Sequence, residues 1–166
     1  NHNTIKILSE HEDLFAQAYF QYDAKKSFGV TKSHLRLSKK PIRSTYYVKH
    51  ADLVACHNQS YVFQYDVADE VKSGGVFLLN TEWDVKGLEE HLPNKMKRVL
   101  AQKKARLFTI DAVRIAAELG LGQRVNMVLQ SAFFKISGLM DYDEAVAAMK
   151  EAVRTTYGSK GDAVVN

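Results

Sequence analysis

The stretch Val76-Phe-Leu-Leu79 is an apolar run bounded by Gly74 and Gly75 on one side and Asn80 on the other. A short apolar run enclosed by turn and polar residues is typical of a strand that is buried on both faces. The run Leu53-Val-Ala-Cys56 has the same character. We therefore predict strands over residues 76–79 and 52–56, with the strand at 52–56 in the centre of the sheet.

Segments with helical spacing of apolar residues alternate with these strands. Glycine commonly ends a helix and aspartate commonly begins one, which sets most of the boundaries. The predicted order is helix 60–72, ended by Ser73-Gly-Gly, then strand 76–79, helices 84–91 and 93–103, strand 106–110, and helix 112–119, begun by Asp111. This alternation predicts an α/β fold with an open, mostly parallel sheet and helices on both faces.

The two ends of the chain add further elements. We predict a helix over 3–14, strands over 18–22, 30–37 and 44–48, and two long closing helices that begin near Val125 and Tyr142. Asp141 and Glu144 have the spacing of a helix-capping pair. Ligands of open parallel sheets gather beyond the carboxyl ends of the strands. The candidate strand ends are residues 23–29, 57–58, 80–83 and 110–111.

Length and composition favour one globular domain over residues 1–166. The chain is 46% hydrophobic and 25% charged, and it contains no apolar run near the roughly 20 residues that span a bilayer. We therefore expect no membrane partner. Its single cysteine excludes an internal disulfide and fits a reducing compartment, so we expect a cytoplasmic protein. The net charge of +4 is mild and no nucleic-acid-binding motif is present, so no nucleic acid partner is expected.

No catalytic or metal-binding residue is predicted. Cys56 and His57 are adjacent, but neighbouring side chains on a strand point to opposite faces, so a cysteine–histidine pair is disfavoured. The six histidines do not have the spacing of a metal site. One cysteine is too few for an iron–sulfur cluster.

The turn Asp23-Ala-Lys-Lys-Ser-Phe-Gly29 is the candidate binding site. Lys25 and Lys26 supply positive charge, and Ser27 with a glycine-containing turn supplies hydrogen-bond donors for phosphate oxygens. The alternative is that both lysines are solvated surface residues.

His34 and Arg36 lie on one face of the next predicted strand. One alternative is that they form a polar sheet edge. The other is that they have a binding role, as a docking surface or an anion contact. The sequence leaves both alternatives open. Lys39, Lys40 and Arg43 add positive charge that suits a phosphate-bearing ligand or an acidic neighbouring domain.

Several motifs in order resemble one protein family. They are Tyr22-Asp-Ala-Lys-Lys-Ser-Phe-Gly-Val-Thr-Lys-Ser-His-Leu-Arg36, Lys40-Pro-Ile-Arg-Ser-Thr45, Ala51-Asp-Leu-Val-Ala-Cys-His-Asn58, Gly74-Gly-Val-Phe-Leu-Leu-Asn80, Glu90-His-Leu-Pro93, Gly120-Leu-Gly-Gln-Arg-Val-Asn126 and Gln130-Ser-Ala-Phe-Phe-Lys135. Together they resemble the pyruvate:ferredoxin (or flavodoxin) oxidoreductases, in the domain equivalent to the gamma subunit of the 2-oxoacid:acceptor oxidoreductases. Where that family has two glycines after the serine, this chain has Phe28 and Gly29.

The resemblance implies a Rossmann-like domain that is a piece of a longer polypeptide, with the first strand of its sheet and a glycine-rich turn outside this chain. The whole enzyme would convert pyruvate to acetyl-coenzyme A and pass electrons to ferredoxin or flavodoxin. Thiamine diphosphate and iron–sulfur clusters would be bound by other domains, and the enzyme would form a homo-oligomer.

This domain would be non-catalytic, helping to bind coenzyme A and to cover the active site. The expected contacts are Asp23, Lys25, Lys26 and Ser27, with Asn1 and Asn3 closing the site. The alternative is a purely structural module that packs against other domains or subunits and contacts no ligand.

Overall fold

A computed structural model of the chain describes residues 2–11, 14–22 and 30–157. It describes the side chains of residues 4–10, 14–22 and 30–155. The chain divides into two compact units. The first combines the residues up to Val48 with those from Phe133 onward, and the second is Lys49–Ala132. The single domain over residues 1–166 stays a prediction.

The described helices, in chain order, are α1 (His2–His11), α2 (Tyr61–Gln64), α3 (Val85–His91), α4 (Asn94–Gln102), α5 (Ala112–Glu118), α6 (Val125–Ser137) and α7 (Tyr142–Tyr157), with a 3-10 helix at Val67–Glu70. The described strands are β1 (Phe15–Tyr22), β2 (Thr31–Ser38), β3 (Ala51–Cys56), β4 (Val71–Asn80) and β5 (Arg106–Ile110). Within the described residues, β1 and β2 form an antiparallel pair, and β3, β4 and β5 form a parallel sheet in that order.

The parallel sheet of the second unit confirms the predicted α/β class, with an open sheet flanked by helices. Its most buried strand is β4, in which every residue from Gly75 to Asn80 is buried. The placement of the 52–56 strand at the centre is wrong, because β3 lies at one side of the sheet and is mostly half-buried or exposed. A short apolar run marks burial, but it does not distinguish a central strand from its neighbour.

The predicted helix over 60–72 is wrong. Only a single turn, α2, and the 3-10 helix form there, and β4 already begins at Val71. Tyr61, Phe63 and Tyr65 recur at every second residue rather than at helical spacing, and Tyr65 is extended with φ −137° and ψ 152°. The apolar residues of this segment follow a mixed pattern that no regular helix can bury.

The two glycines at 74–75 lie inside β4 and do not end a helix. Gly74 has φ +74°, and a Cβ on Gly75 would lie 2.9 Å from the Lys72 carbonyl oxygen. The pairing of β3 with β4 changes register between Ala51 and Leu53, opposite this point. The two glycines therefore allow an irregularity within the strand. This is a common role of glycine besides ending helices.

The first unit has its core between α1, α6 and α7. Ile7 and Leu8 of α1 pack with Phe134, Ala145 and other buried residues of the two closing helices. Leu14 belongs to no helix, and β1 begins at the next residue, so the prediction that the first helix extends to Leu14 is wrong. The predicted strand over 44–48 is also wrong, because residues 41–48 form no regular element.

Aspartates cap three helices, as the sequence predicts for two of them. The Asp111 carboxylate accepts a hydrogen bond from the Arg114 amide at 3.0 Å. Asp141 accepts from the amides of Asp143 and Glu144. Asp84 accepts from the amide of Gly87 at 2.8 Å. These bonds satisfy helical N–H groups that have no partner within the helix.

Candidate functional site

The predicted binding turn lies outside the described residues. The structure does not describe Asp23, Lys25, Lys26 or Ser27 of this turn, nor the predicted contact residue Asn1. The backbone of Asn3 lies in α1, but its side chain is outside the described part of the chain. Tyr22, the last residue of β1, is paired with Thr31, the first residue of β2. The six site residues therefore remain predictions.

His34 is the buried polar residue of the ribbon formed by β1 and β2, with 8% of its surface exposed. The Val48 amide donates to His34 Nδ1 at 3.2 Å, and His34 Nε2 lies 3.1 Å from Gln21 Oε1. A backbone N–H can only donate, so Nδ1 must be the acceptor. The imidazole is then neutral, carries its proton on Nε2, and donates to Gln21.

Arg36 makes a second attachment on the same face. Its Nη1 donates to the Ser44 carbonyl at 2.9 Å, and its guanidinium lies 3.8 Å from the centre of the Tyr46 ring. Residues 39–48, which we call the strap, are therefore fastened to the ribbon at both Ser44 and Val48. The structure shows that His34 and Arg36 share a face, as predicted, and that both make contacts within the chain.

The carboxyl ends of the three parallel strands are joined by Asn80, the last residue of β4. Its Nδ2 donates to the His57 carbonyl at 3.0 Å, beyond β3, and its Oδ1 accepts from the Ala112 amide at 3.0 Å, at the start of α5. Asn80 is 9% exposed. One buried amide thus fastens the loop after β3 to the helix after β5.

A second side-chain bridge lies beside Asn80. Thr81 Oγ1 donates to Gln59 Oε1 at 2.6 Å and accepts from the Trp83 amide at 3.1 Å. The sequence drew attention to residues 57–58 and 80–83 as strand ends, but it missed Gln59. The only available signal for Gln59 was its position just past a predicted strand end. These side chains bind one another, so the edge is organised by internal contacts.

Cys56 ends β3 and is 6% exposed. Its thiol donates to the Asn58 carbonyl at 3.2 Å, so its partner is a backbone oxygen. Burial raises the pKa of the Cys56 thiol to about 11, and this effect exceeds the opposing effect of the Asn58 hydrogen bond. A neutral thiol is a poor nucleophile.

Because the pKa of Cys56 is raised, we expect the free energy of unfolding to fall at alkaline pH. Between about pH 9 and pH 11 the folded state holds a proton that the unfolded state has lost, so stability falls as pH rises. A shift of about two pKa units corresponds to roughly 2–3 kcal/mol. Urea unfolding of the wild type and Cys56→Ala, measured at pH 8 and pH 11, should show the larger loss in the wild type. Equal losses in both proteins would contradict the prediction.

A surface pocket of about 380 Å³ lies between the segment that follows α2 and helix α4. Val62, Met96 and Val99 form part of its apolar wall. At its rim, Lys95 Nζ pairs with Asp66 Oδ1 at 2.6 Å. Among the described side chains, no group of three or more histidine, cysteine, aspartate or glutamate residues could hold a metal ion. No described helix is long and apolar enough to cross a membrane.

The sequence profile described as "Pyruvate ferredoxin/flavodoxin oxidoreductase" matches residues 1–166. The chain is 51% identical over 166 residues to a pyruvate:ferredoxin oxidoreductase of Moorella thermoacetica, covering 100% of this chain and 14% of the relative. It is 50% identical over 165 residues to a pyruvate-flavodoxin oxidoreductase of Klebsiella pneumoniae, covering 99% of this chain and 14% of the relative. The chain belongs to the pyruvate ferredoxin/flavodoxin oxidoreductase family.

A solved structure agrees with this assignment at the level of the fold. A pyruvate oxidoreductase subunit from Thermotoga maritima, subunit PORC, is similar with a TM-score of 0.70 and 14% identity, covering 99% of this chain and 79% of the other. The family to which the sequence motifs pointed is therefore confirmed. The chain spans about 14% of the length of the two curated relatives, so it corresponds to one part of a pyruvate ferredoxin/flavodoxin oxidoreductase.

Proposed function

We propose that this chain is a non-catalytic domain of an enzyme that oxidatively decarboxylates pyruvate to acetyl-coenzyme A and passes electrons to ferredoxin or flavodoxin. The observation that supports this is the identity of about half of all residues to enzymes with these names, over the full length of the chain. The described side chains fit a supporting role, since the polar groups at the strand ends bind one another.

The domain's own task in this proposal is to help bind coenzyme A and to cover the active site. Coenzyme A carries a diphosphate and a 3′-phosphate. Lys25, Lys26 and Ser27 offer charge-assisted contacts to such groups, and Asp23 is suited to orient a lysine or to accept from the ribose or adenine. Asn1 and Asn3 complete the proposed contact set.

Iron–sulfur clusters do not fit this chain. Such a cluster needs several thiolates, and the one cysteine, Cys56, is buried against the Asn58 carbonyl. By resemblance, the clusters and thiamine diphosphate belong to other domains. The other domains and the acceptor protein are the proposed partners, within a cytoplasmic homo-oligomeric enzyme.

The Lys25→Ala and Lys26→Ala double variant of the whole enzyme tests the ligand role. We expect the KM for coenzyme A to rise at least tenfold with kcat nearly unchanged, because a single charge-assisted contact is worth about 1.5–3 kcal/mol. Steady-state kinetics with varied coenzyme A at saturating pyruvate would measure this. Lys86→Ala with Lys150→Ala, which removes two exposed lysines elsewhere, should leave the KM unchanged.

An unchanged KM in the Lys25 and Lys26 double variant would overturn the ligand role. The result would then favour the alternative, a structural module that packs against other domains or subunits without contacting coenzyme A.

A further inference from the structure

Positive charge is concentrated in one part of this mildly basic chain. Residues 14–50 contain eight of the 23 lysines and arginines but only one of the 19 acidic residues, Asp23. The remaining residues therefore carry more acidic than basic groups. A charge concentration of this kind produces a local positive potential that the chain's net charge of +4 understates.

Three of these cations are exposed on the strap. Lys39, Lys40 and Arg43 are exposed, and residues 30–48 include no aspartate or glutamate. Within the described part of the chain, the side-chain nitrogens of these three residues have no ion pair or hydrogen bond. Some exposed basic residues elsewhere, such as Lys72, Lys95 and Arg114, are paired with carboxylates, whereas Lys86 has no ion pair among the described residues. Among the described residues, the cations of the strap therefore have no carboxylate partner.

Two exposed aromatic rings lie beside these cations. Tyr46 is 58% exposed and Tyr47 is 50% exposed. The Arg36 guanidinium lies over the Tyr46 ring, and the His34 ring lies 5.0 Å from that of Tyr47. Both rings are therefore held in place before any partner arrives, which lowers the entropy lost on binding.

This combination has the character of a protein interface. Tyrosine and arginine are enriched at interface cores, and lysines are normally depleted there unless an acidic partner neutralises them. A free phosphate ion would need the cations but not the exposed ring surfaces. Charge complementarity therefore favours an extended acidic protein surface over a small anion.

We propose that the strap docks an acidic surface on another domain of the same oxidoreductase polypeptide. The inference rests on the proposed function, in which this chain is one domain of a longer enzyme. The relatives are about seven times as long as this chain, so most of the surface of such an enzyme lies outside these 166 residues. Lys39, Lys40 and Arg43 meet the carboxylates, and Tyr46 and Tyr47 supply the buried centre of the contact.

Zero-length crosslinking of the whole enzyme tests this docking. A carbodiimide joins a lysine amine to a carboxylate that it touches, and peptide mass spectrometry identifies both residues. We expect Lys39 or Lys40 to be linked to an aspartate or glutamate outside these 166 residues. The yield should fall severalfold at an ionic strength of about 1 M, where the screening length is about 3 Å.

An exposed lysine elsewhere in the chain is the internal control for the crosslinking. Lys86, an exposed lysine without an ion pair among the described residues, should give a much lower yield of such links. Links from Lys39 and Lys40 that are absent, or as rare as those of Lys86, would overturn the proposal. A mixture of isotopically light and heavy enzyme identifies links between two molecules, and links found only between molecules would also overturn it.

Amide hydrogen exchange gives an independent measurement. The variant Lys39→Glu, Lys40→Glu, Arg43→Glu should speed exchange across the strap in the whole enzyme at least tenfold. The matched variant Lys86→Glu, Arg98→Glu, Arg106→Glu has the same change of charge and should not. Equal exchange in both variants would overturn the docking. Lys39 or Lys40 could be crosslinked to another domain while the Lys25 and Lys26 double variant has an unchanged KM for coenzyme A. That pair of results would overturn the coenzyme A role and leave the docking proposal standing.

Discussion

The Phe77→Ala variant is expected to lose about 3–5 kcal/mol of unfolding free energy, as is usual when a large aromatic side chain is removed from a core. Phe77 is fully buried in β4 and is aligned with Val54 on one side and Leu107 on the other. No part of the sheet can collapse into the cavity without breaking strand pairing. Urea unfolding followed by the fluorescence of Trp83, the chain's single tryptophan, would report the loss. Trp83 packs against the same core cluster.

Phe108→Ala provides the matched control for this prediction. It removes the same side chain from the neighbouring strand β5, where Phe108 is 38% exposed. We expect a loss of about 1 kcal/mol or less, because partly exposed positions have little apolar surface to lose. Similar losses in the two variants would show that β4 is not the centre of the core.

The elements that the sequence predicted best are those whose boundaries carry their own chemical signals. Strand β5 has the predicted bounds, because Asp111 directly ends it and caps α5. Helix α5 ends at Glu118, one residue before the predicted Leu119, and Gly120 follows with φ +69°, a conformation that favours glycine. Local signals of this kind are sufficient where tertiary packing does not compete with them.

Prediction failed where distant contacts decide the structure. The sequence predicted a strand over residues 44–48, which include Tyr46 and Tyr47. The structure instead has no regular element there, and the strap is attached to His34 and Arg36 of β2. A local pattern cannot show that an imidazole and a guanidinium 8 to 14 residues away replace the hydrogen bonds of a sheet. The candidate turn at residues 23–29 depends on the resemblance and on charge, and its contacts remain a prediction.

The Asn80→Ala variant should cost about 2–5 kcal/mol of unfolding free energy. Its side chain satisfies two backbone groups, the His57 carbonyl and the Ala112 amide. Each buried group left without a partner costs about 1–3 kcal/mol. Asn94→Ala, an exposed asparagine in the same unit, should change stability by about 0.5 kcal/mol or less. The Trp83 fluorescence transition in urea would compare the two variants.

Asn80→Asp distinguishes the hydrogen-bond explanation from simple loss of packing. The two side chains have nearly the same shape, but an ionised aspartate can accept from the Ala112 amide and cannot donate to the His57 carbonyl. Two oxygens would then face each other in a buried site. Because a protonated carboxyl can donate again, the deficit of Asn80→Asp relative to the wild type should shrink as pH falls toward about 4. A deficit that is independent of pH would mean that Asn80 acts by filling space, and the joining of β3 to α5 would need another explanation.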